Sequence, residues 1–375
     1  MLVAAAAARE VSLVTRYAAL RRWQALLVMA ALVCLGVWFQ FGAASPEAQS
    51  PVAPTDRPVM ADKDLYRAVI ARVRNGEDYY AAAAHELRTR GYPIKPALNF
   101  RQPTYAWLLS RLPDLAWANW IQAALALLAV VLTHRWLRAS VGARLAWRGA
   151  GLTAIAFVGV KNAEFPMFQE SWAGLFIFLS LCAFALGHWR WGLVATFAAL
   201  SFRELALLPC GVGVLLALRN RRWREAGLWV AGITVYAVLM HFHAAEASQY
   251  FRPEDRPRSW VGWGGAPFLI KSMQFSALMA ALPRWVVALA IPLSMFGLIG
   301  WRDRGGERLT LVCVGYVAAF VVIGLPFNNY WGPIYAPLVY LGLALVPDSL
   351  RDLVRAARSS SFVVSQPLTV TAERT

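Results

Sequence analysis

The sequence predicts an all-α polytopic membrane protein, with about ten transmembrane helices and a helical external first loop. Three observations carry this. Hydrophobic residues fill 59% of the 375 positions, the mean hydropathy is +0.47, and several runs approach the roughly 20 apolar residues that cross a bilayer. Arginines collect in short loops between those runs, which is the pattern of cytoplasmic loops. Between the first two runs lies a polar stretch, Ala44–Pro113, that carries its own amphipathic periodicity instead of linker composition.

The first run, Gln24–Gly42, follows Arg16, Arg21 and Arg22. Ala43-Ala44-Ser45 after it resembles a signal cleavage site. The run exceeds the roughly 7–15 apolar residues of a signal-peptide core, so it is expected to remain as the first span, behind a cytoplasmic segment 1–23.

The external stretch opens with an extended linker, Pro46–Pro58, and three helices are predicted after it. In Asp64–Arg74 the residues Tyr66, Val69, Ile70 and Val73 share a face, and Asn75-Gly76 ends it. In Tyr79–Arg90 the shared face is Tyr80, Ala83, Ala84 and Leu87, with Asp78 as N-cap and Gly91 as stop. In Pro103–Leu112 it is Tyr105, Leu108, Leu109 and Leu112, with Pro103 in the first turn.

Apolar runs recur at 115–134, 149–160, 171–188, 192–218, 226–242, 285–301, 309–326 and 332–347. The segments Arg135–Arg148, Arg219–Arg224, Arg302–Arg308 and Arg351–Arg358 each carry three or four arginines, so all four are expected inside. That holds only if 192–218 breaks near Phe202-Arg203-Glu204. Each half then has about 14 residues, or roughly 21 Å of helix, against a core of roughly 30 Å. The break must lie at depth, in a protein-lined or watery cavity. Both termini are then cytoplasmic. Residues 24–347 form the membrane domain, and 348–375, polar and containing Ser359-Ser360-Ser361, is expected to be a disordered tail.

Tryptophans sit near the run ends, among them Trp23, Trp38, Trp117, Trp136, Trp147, Trp189, Trp223, Trp285, Trp301 and Trp331, as in an interfacial belt. The net charge of +16 reads as topology signal and attraction to anionic membrane lipids, with no nucleic-acid partner. Cys34, Cys182, Cys210 and Cys313 lie singly in apolar runs, the setting of buried thiols.

Candidate functional residues are the charges that break these patterns. Arg203-Glu204 interrupts an apolar run, and ionisable groups at membrane depth are functional candidates. A structural ion pair joining two short helices is the plainer alternative. Glu170 abuts the fourth span, facing the same side as Arg203, after a turn that holds Lys161-Asn162-Ala163-Glu164. The loop His243–Trp260 contains Tyr250, Arg252, Arg256 and Arg258, cations suited to phosphate oxygens or to anionic lipid. His241 and His243 are two apart and do not share a helix face, so no metal is assigned to them. No GxSxG, Walker A, HExxH or dinucleotide fingerprint is present, which disfavours ATP-driven pumps and the common hydrolases.

Taken together, Asp64, Gly76-Glu77-Asp78-Tyr79-Tyr80, Arg101-Gln102-Pro103, Glu170, Arg203-Glu204 and Asn329-Tyr330-Trp331 resemble the GT-C superfamily of membrane glycosyltransferases, most closely its short bacterial branch. The likeness spans most of residues 60–340, without a large C-terminal periplasmic domain. It implies a multi-pass enzyme of a bacterial inner membrane that moves a sugar from a polyprenyl-phosphate donor to a lipid or glycan acceptor at the external face, with inversion. Asp64, or Asp62 as alternate, would be the general base. Arg101 and Arg203 would hold the leaving phosphate, and Tyr79, Tyr80, Glu170, Glu204, Arg256, Arg258 and Tyr330 would complete the substrate site. No cofactor is assigned. The resemblance allows a divalent cation, for which Asp62-Lys63-Asp64 is the nearest acidic pattern. A lipid or solute transporter, or flippase, is the rival reading, because broken helices with buried charge also mark transport sites. A third is a non-catalytic assembly subunit, which would tolerate loss of Asp64.

Overall fold

The computed structural model describes residues 15–45, 59–161, 164–255, 257 and 262–359. The linker Pro46–Pro58 and both Arg256 and Arg258 fall outside the described residues. Within them the chain is all-helical and contains no strand.

A helix α1 (Arg22–Ala44) precedes three helices of an outer layer: α2 (Val59–Arg74), α3 (Tyr79–Thr89) and α4 (Pro103–Ser110). Then come α5 (Ala116–Ser140), α6 (Ala143–Ala156), α7 (Gln169–Ala185), α8 (Trp189–Phe202), α9 (Leu207–Arg219) and α10 (Trp223–Ser248). A short α11 (Gly265–Met273) follows, then α12 (Arg284–Gly300) and α13 (Arg304–Ile323). A 3-10 turn Pro326–Trp331 enters α14 (Gly332–Leu343), and α15 (Val346–Arg358) closes the described chain. Among the described residues four helices, α1, α5, α10 and α13, are long and apolar enough to cross a membrane. Helices α7 and α12 are apolar but shorter, and Pro326–Leu343 with α15 forms a pair bent by 50°.

The local signals act as expected in the outer layer. The Asp78 carboxylate caps α3 by accepting from the Tyr80 and Ala81 amides. Gly76 and Gly91 end α2 and α3 at φ of 90° and 65°, a region open to glycine at little cost. The core lies deeper, where α7 and α14 are buried along nearly their whole length. They approach closely because Gly174 has no side chain: a Cβ there would overlap the Pro333 carbonyl.

The arginine-rich segments meet at one end, here called the base. Trp136 Nε1 donates to Asp303 (3.1 Å), Arg219 pairs with Glu307 (2.6 Å), and Arg148 pairs with Asp348 (3.1 Å). The outer layer gathers at the other end. There Arg67 pairs with Glu164 (2.9 Å), Arg88 with Asp255 (3.3 Å), and the Tyr105 hydroxyl donates to the Met167 carbonyl (2.7 Å).

Four expectations change. Residues 346–358 are a docked helix, not the start of a disordered tail: Asp352 accepts from the Thr15 amide (2.8 Å), and Leu353 and Ala356 are buried with Tyr17 and Phe296. Its low mean hydropathy hides an amphipathic pattern. Trp136, Trp301 and Trp331 are core residues, not belt residues, and the first two stack at 4.8 Å between ring centres. Cys34 is exposed, while the other three cysteines are buried. The loop expected from His243 begins only after Ser248, where α10 ends.

Candidate functional site

The apolar run 192–218 does break where its charges sit. Arg203 is extended (φ −151°, ψ 126°) between α8 and a one-turn 3-10 helix, Glu204–Ala206, that leads into α9. With 14 and 13 residues, each half measures about 20 Å, shorter than the roughly 30 Å membrane core.

At that break Arg203 Nε lies 2.6 Å from Glu170 Oε1, and both side chains are almost fully buried (2% and 1% exposed). Arg203 Nη1 lies 2.8 Å from Glu204 Oε1, whose side chain is 31% exposed and so reaches the opening. Glu170 occupies the first turn of α7, where the helix dipole favours a carboxylate. Trp172 and Phe202 stack in parallel beside it, 5.5 Å between ring centres. The contact with Glu170 is an ion pair. Arg203 Nε and Nη2, and both Glu170 oxygens, have no hydrogen-bond partner among the described residues. Leaving such buried groups unsatisfied costs about 1–3 kcal/mol each, more when they are charged. Buried polar groups in this state are met by ordered water or by a ligand.

The outer layer sets a second cation above this pair. Half-buried Arg101 donates from Nε to the Tyr66 hydroxyl (3.1 Å) and from Nη2 to the Tyr330 hydroxyl (2.9 Å). Its carbonyl accepts from Tyr79, which fixes the backbone. Glu170 and Glu204 are near enough to act on its charge. Burial pushes the Tyr66 hydroxyl up to about 12, so it stays a neutral donor and acceptor.

Asp62 and Asp64 part company on α2. Residues two apart on a helix point to different sides, whereas Asp62 and Tyr66, four apart, share one. Asp62 is half-buried, accepts from the Tyr92 hydroxyl (2.6 Å), and acts electrostatically on both Tyr66 and Tyr330. The Asp64 side chain is 53% exposed and 3.9 Å from Arg67, on the rim. A divalent cation does not fit this donor set, because the two carboxylates do not converge. Among the described residues no three His, Cys, Asp or Glu side chains gather as a metal-binding group.

A cavity of about 540 Å³ runs between α4, α8 and α10 and is mainly apolar. Its polar end is built from Gln102, whose amide donates to the Tyr236 hydroxyl (2.8 Å), and from Tyr80 and His243. The Phe100 carbonyl can only accept, so His243 Nε2 donates to it (3.0 Å), and Nδ1 then accepts from the Tyr80 hydroxyl (3.0 Å). Tyr236 lies within electrostatic range of Glu204 and Arg203, so this end adjoins the buried pair.

The fold thus brings Asp62, Arg101, Glu170, Arg203, Glu204 and Tyr330 into one cluster. Tyr79 supports Arg101 from behind, and Tyr80 lines the cavity. Sequence reasoning missed Tyr66, Tyr92, Gln102 and Tyr236 as individual contributors. Tyr66 was visible only as one member of an apolar stripe, and Tyr236 lies inside an apolar run. No known protein family, curated protein or solved structure matches this chain.

Proposed function

We propose that the chain is a membrane glycosyltransferase that moves a sugar from a polyprenyl-phosphate donor to a lipid or glycan acceptor at the external face, with inversion. The observation that carries this reading is the meeting of three features: a buried Arg203–Glu170 pair with unused hydrogen-bonding capacity, a second cation and a carboxylate above it, and an apolar cavity beside it. An amphiphile with an anionic head and a hydrocarbon tail matches that layout.

In the proposed reaction Asp62 accepts the proton of the acceptor hydroxyl as its oxygen attacks the anomeric carbon from the face opposite the phosphate. The bond from that carbon to the phosphate oxygen breaks, and the electron pair leaves with the lipid phosphate. Arg101 and Arg203 stabilise the developing charge from fixed positions. Tyr66 and Tyr330 hold the Arg101 guanidinium in place, and Glu170 and Glu204 orient that of Arg203.

In this reading ten spans place the base in the cytoplasm of a bacterial cell and the outer layer outside its inner membrane. The contacts that join three arginine-rich segments, and Arg148 to Asp348 in α15, support a common side for them. With Cys34 replaced by Ser, cysteines at Asn75 and Ser359 should label from opposite sides of sealed vesicles. Labelling from one side would overturn the topology.

Proteoliposomes supplied with radiolabelled polyprenyl-phosphate sugars and a glycolipid acceptor pool test the activity. Transfer of label with release of polyprenyl phosphate supports the proposal. Movement of the intact donor between leaflets without bond cleavage would establish the transporter instead.

A further inference from the structure

This inference rests on the lipid-phosphate reading and concerns what holds Arg101 in register with Arg203. The residues on either side of Arg101 are extended: Phe100 has φ −73° and ψ 113°, and Gln102 has φ −62° and ψ 134°. A lone extended segment has no ladder to meet its carbonyls, so side chains must supply the partners.

Two helices do this. From α3, the Tyr79 hydroxyl donates to the Arg101 carbonyl. From α10, His243 Nε2 donates to the Phe100 carbonyl (3.0 Å), and the Tyr236 hydroxyl accepts from the Gln102 amide (2.8 Å). Tyr236 and His243 are seven apart, about two turns, and so share one face of α10. The Arg101 side chain goes instead to the Tyr66 and Tyr330 hydroxyls.

His243 is 5% exposed, and both its ring nitrogens are engaged. The Phe100 carbonyl requires a proton on Nε2, and the Tyr80 hydroxyl, donating to Nδ1 (3.0 Å), fixes that tautomer. Neighbouring Tyr79 and Tyr80 thus hold the neighbouring carbonyls of Arg101 and Phe100, one directly and one through the imidazole. Neither nitrogen is left over to serve as a base or a ligand.

The same helix also bears on Arg203. That residue follows α8 directly, and α8 packs on α10 where the Phe197 ring fills the space beside the bare Gly232 backbone. Both cations are therefore referred to α10. We infer that His243 is a positioning residue for Arg101: it ties the Phe100–Arg101 peptide to α10 and so sets where the Arg101 guanidinium stands relative to Arg203. Such spacing matters because a displacement of about 1 Å can cost on the order of a hundredfold.

Binding of decyl phosphate to the purified full chain, compared across single and double variants, tests this. Arg101→Met should weaken binding about tenfold or more, the loss expected of a charge-assisted contact. His243→Phe fills the ring's space without its hydrogen bonds and should weaken binding several-fold. In the Arg101→Met background the same change should cost nothing further, because His243 acts through Arg101. His243→Gln, whose amide can donate to Phe100 and accept from Tyr80, should recover most of the loss. His241→Phe, on an exposed face of α10, should bind as wild type does. Should His243→Phe not fold, His243→Asn replaces it, because that shorter amide can meet Tyr80 but falls short of Phe100. Losses that add across His243 and Arg101 would overturn the inference alone, as would wild-type binding by His243→Phe or a glutamine no better than phenylalanine. If binding depended on neither Arg101 nor Arg203, the lipid-phosphate reading would fall and the positioning role with it.

Discussion

Two buried arginine–glutamate clusters sit at opposite ends of this bundle, and they differ in what they leave over. At the base, Arg308 and Glu225 are 7% and 5% exposed. Glu225 also binds Arg222 (2.8 Å) and accepts from Trp229 Nε1 (3.4 Å), while Phe184 covers the Arg308 guanidinium. None of their polar atoms is among the buried atoms left without a partner. Near the outer layer, Arg203 and Glu170 are buried more deeply still, yet two nitrogens and two oxygens lack hydrogen-bond partners among the described residues. Taking charges out of water costs several kcal/mol per ion unless the remaining valences are met. A closed network meets them internally and acts as a strut. An open one meets them only through water or a bound ligand, and the proposed site rests on that contrast.

Matched variants test that contrast with the largest expected effect. Replacing a whole buried pair with apolar or neutral groups of similar size is often close to neutral for stability, whereas removing one partner costs about 3–5 kcal/mol. Arg203→Met/Glu170→Gln should therefore stay folded and show no detectable transfer. Arg308→Met/Glu225→Gln should keep its turnover per folded molecule, and Arg308→Met alone should unfold at markedly lower temperature. Melting curves in detergent and transfer assays on the same samples check both. Retained turnover in the first double variant, or lost turnover in the second, would erase the distinction.

The outer cluster was more legible in the sequence than the inner one, for a physical reason. Arg203-Glu204 falls in the middle of an apolar run, where charge is conspicuous. Arg308 and Glu225 fall at run ends among other arginines, where charge reads as loop. Caps and stops were equally plain, because Asp78, Gly76, Gly91 and Pro103 act within a turn of their own position. Orientation was not legible. Whether Asp62 or Asp64 faces inward depends on Tyr92 and Tyr330, which come from distant parts of the chain. The helix α15 escaped notice because its apolar positions are spaced for a helix face and do not form a run.

That missing orientation gives the second test, one of moderate size. Asp62→Asn keeps the side chain's size and the acceptor for Tyr92 but removes proton acceptance. Turnover should fall by roughly a hundredfold or more, the usual scale for an acid–base group. Binding of polyprenyl phosphate should be unchanged, because the guanidinium groups are intact. Asp64→Asn, on the exposed rim, should stay within about twofold of wild type, as surface substitutions usually do. The reverse ranking would return the proposed base to Asp64 and mean that α2 turns when substrate binds.

The smallest effect belongs to a third cluster, neither closed and buried nor open and buried. Glu164 pairs with Arg67 (2.9 Å) and Lys63 (3.2 Å), with its side chain 24% exposed, and so ties the outer layer to the turn before α7. Burial alone would raise its carboxyl, but hydrogen bonds and charge from Arg67 and Lys63 outweigh that and hold it below the ordinary value of 4.5. A carboxyl lowered by folding adds stability above its unfolded value and loses it as pH falls through the folded one. The melting temperature of wild type should therefore exceed that of Glu164→Gln by a constant margin from about pH 8 to about pH 5. The margin should vanish as the pH drops further, where both carry an uncharged side chain. Solvent screening limits it to about 1 kcal/mol. A margin that widened in acid would mean that Glu164 is held protonated, and the pairing with Arg67 and Lys63 would not be what fastens the outer layer there.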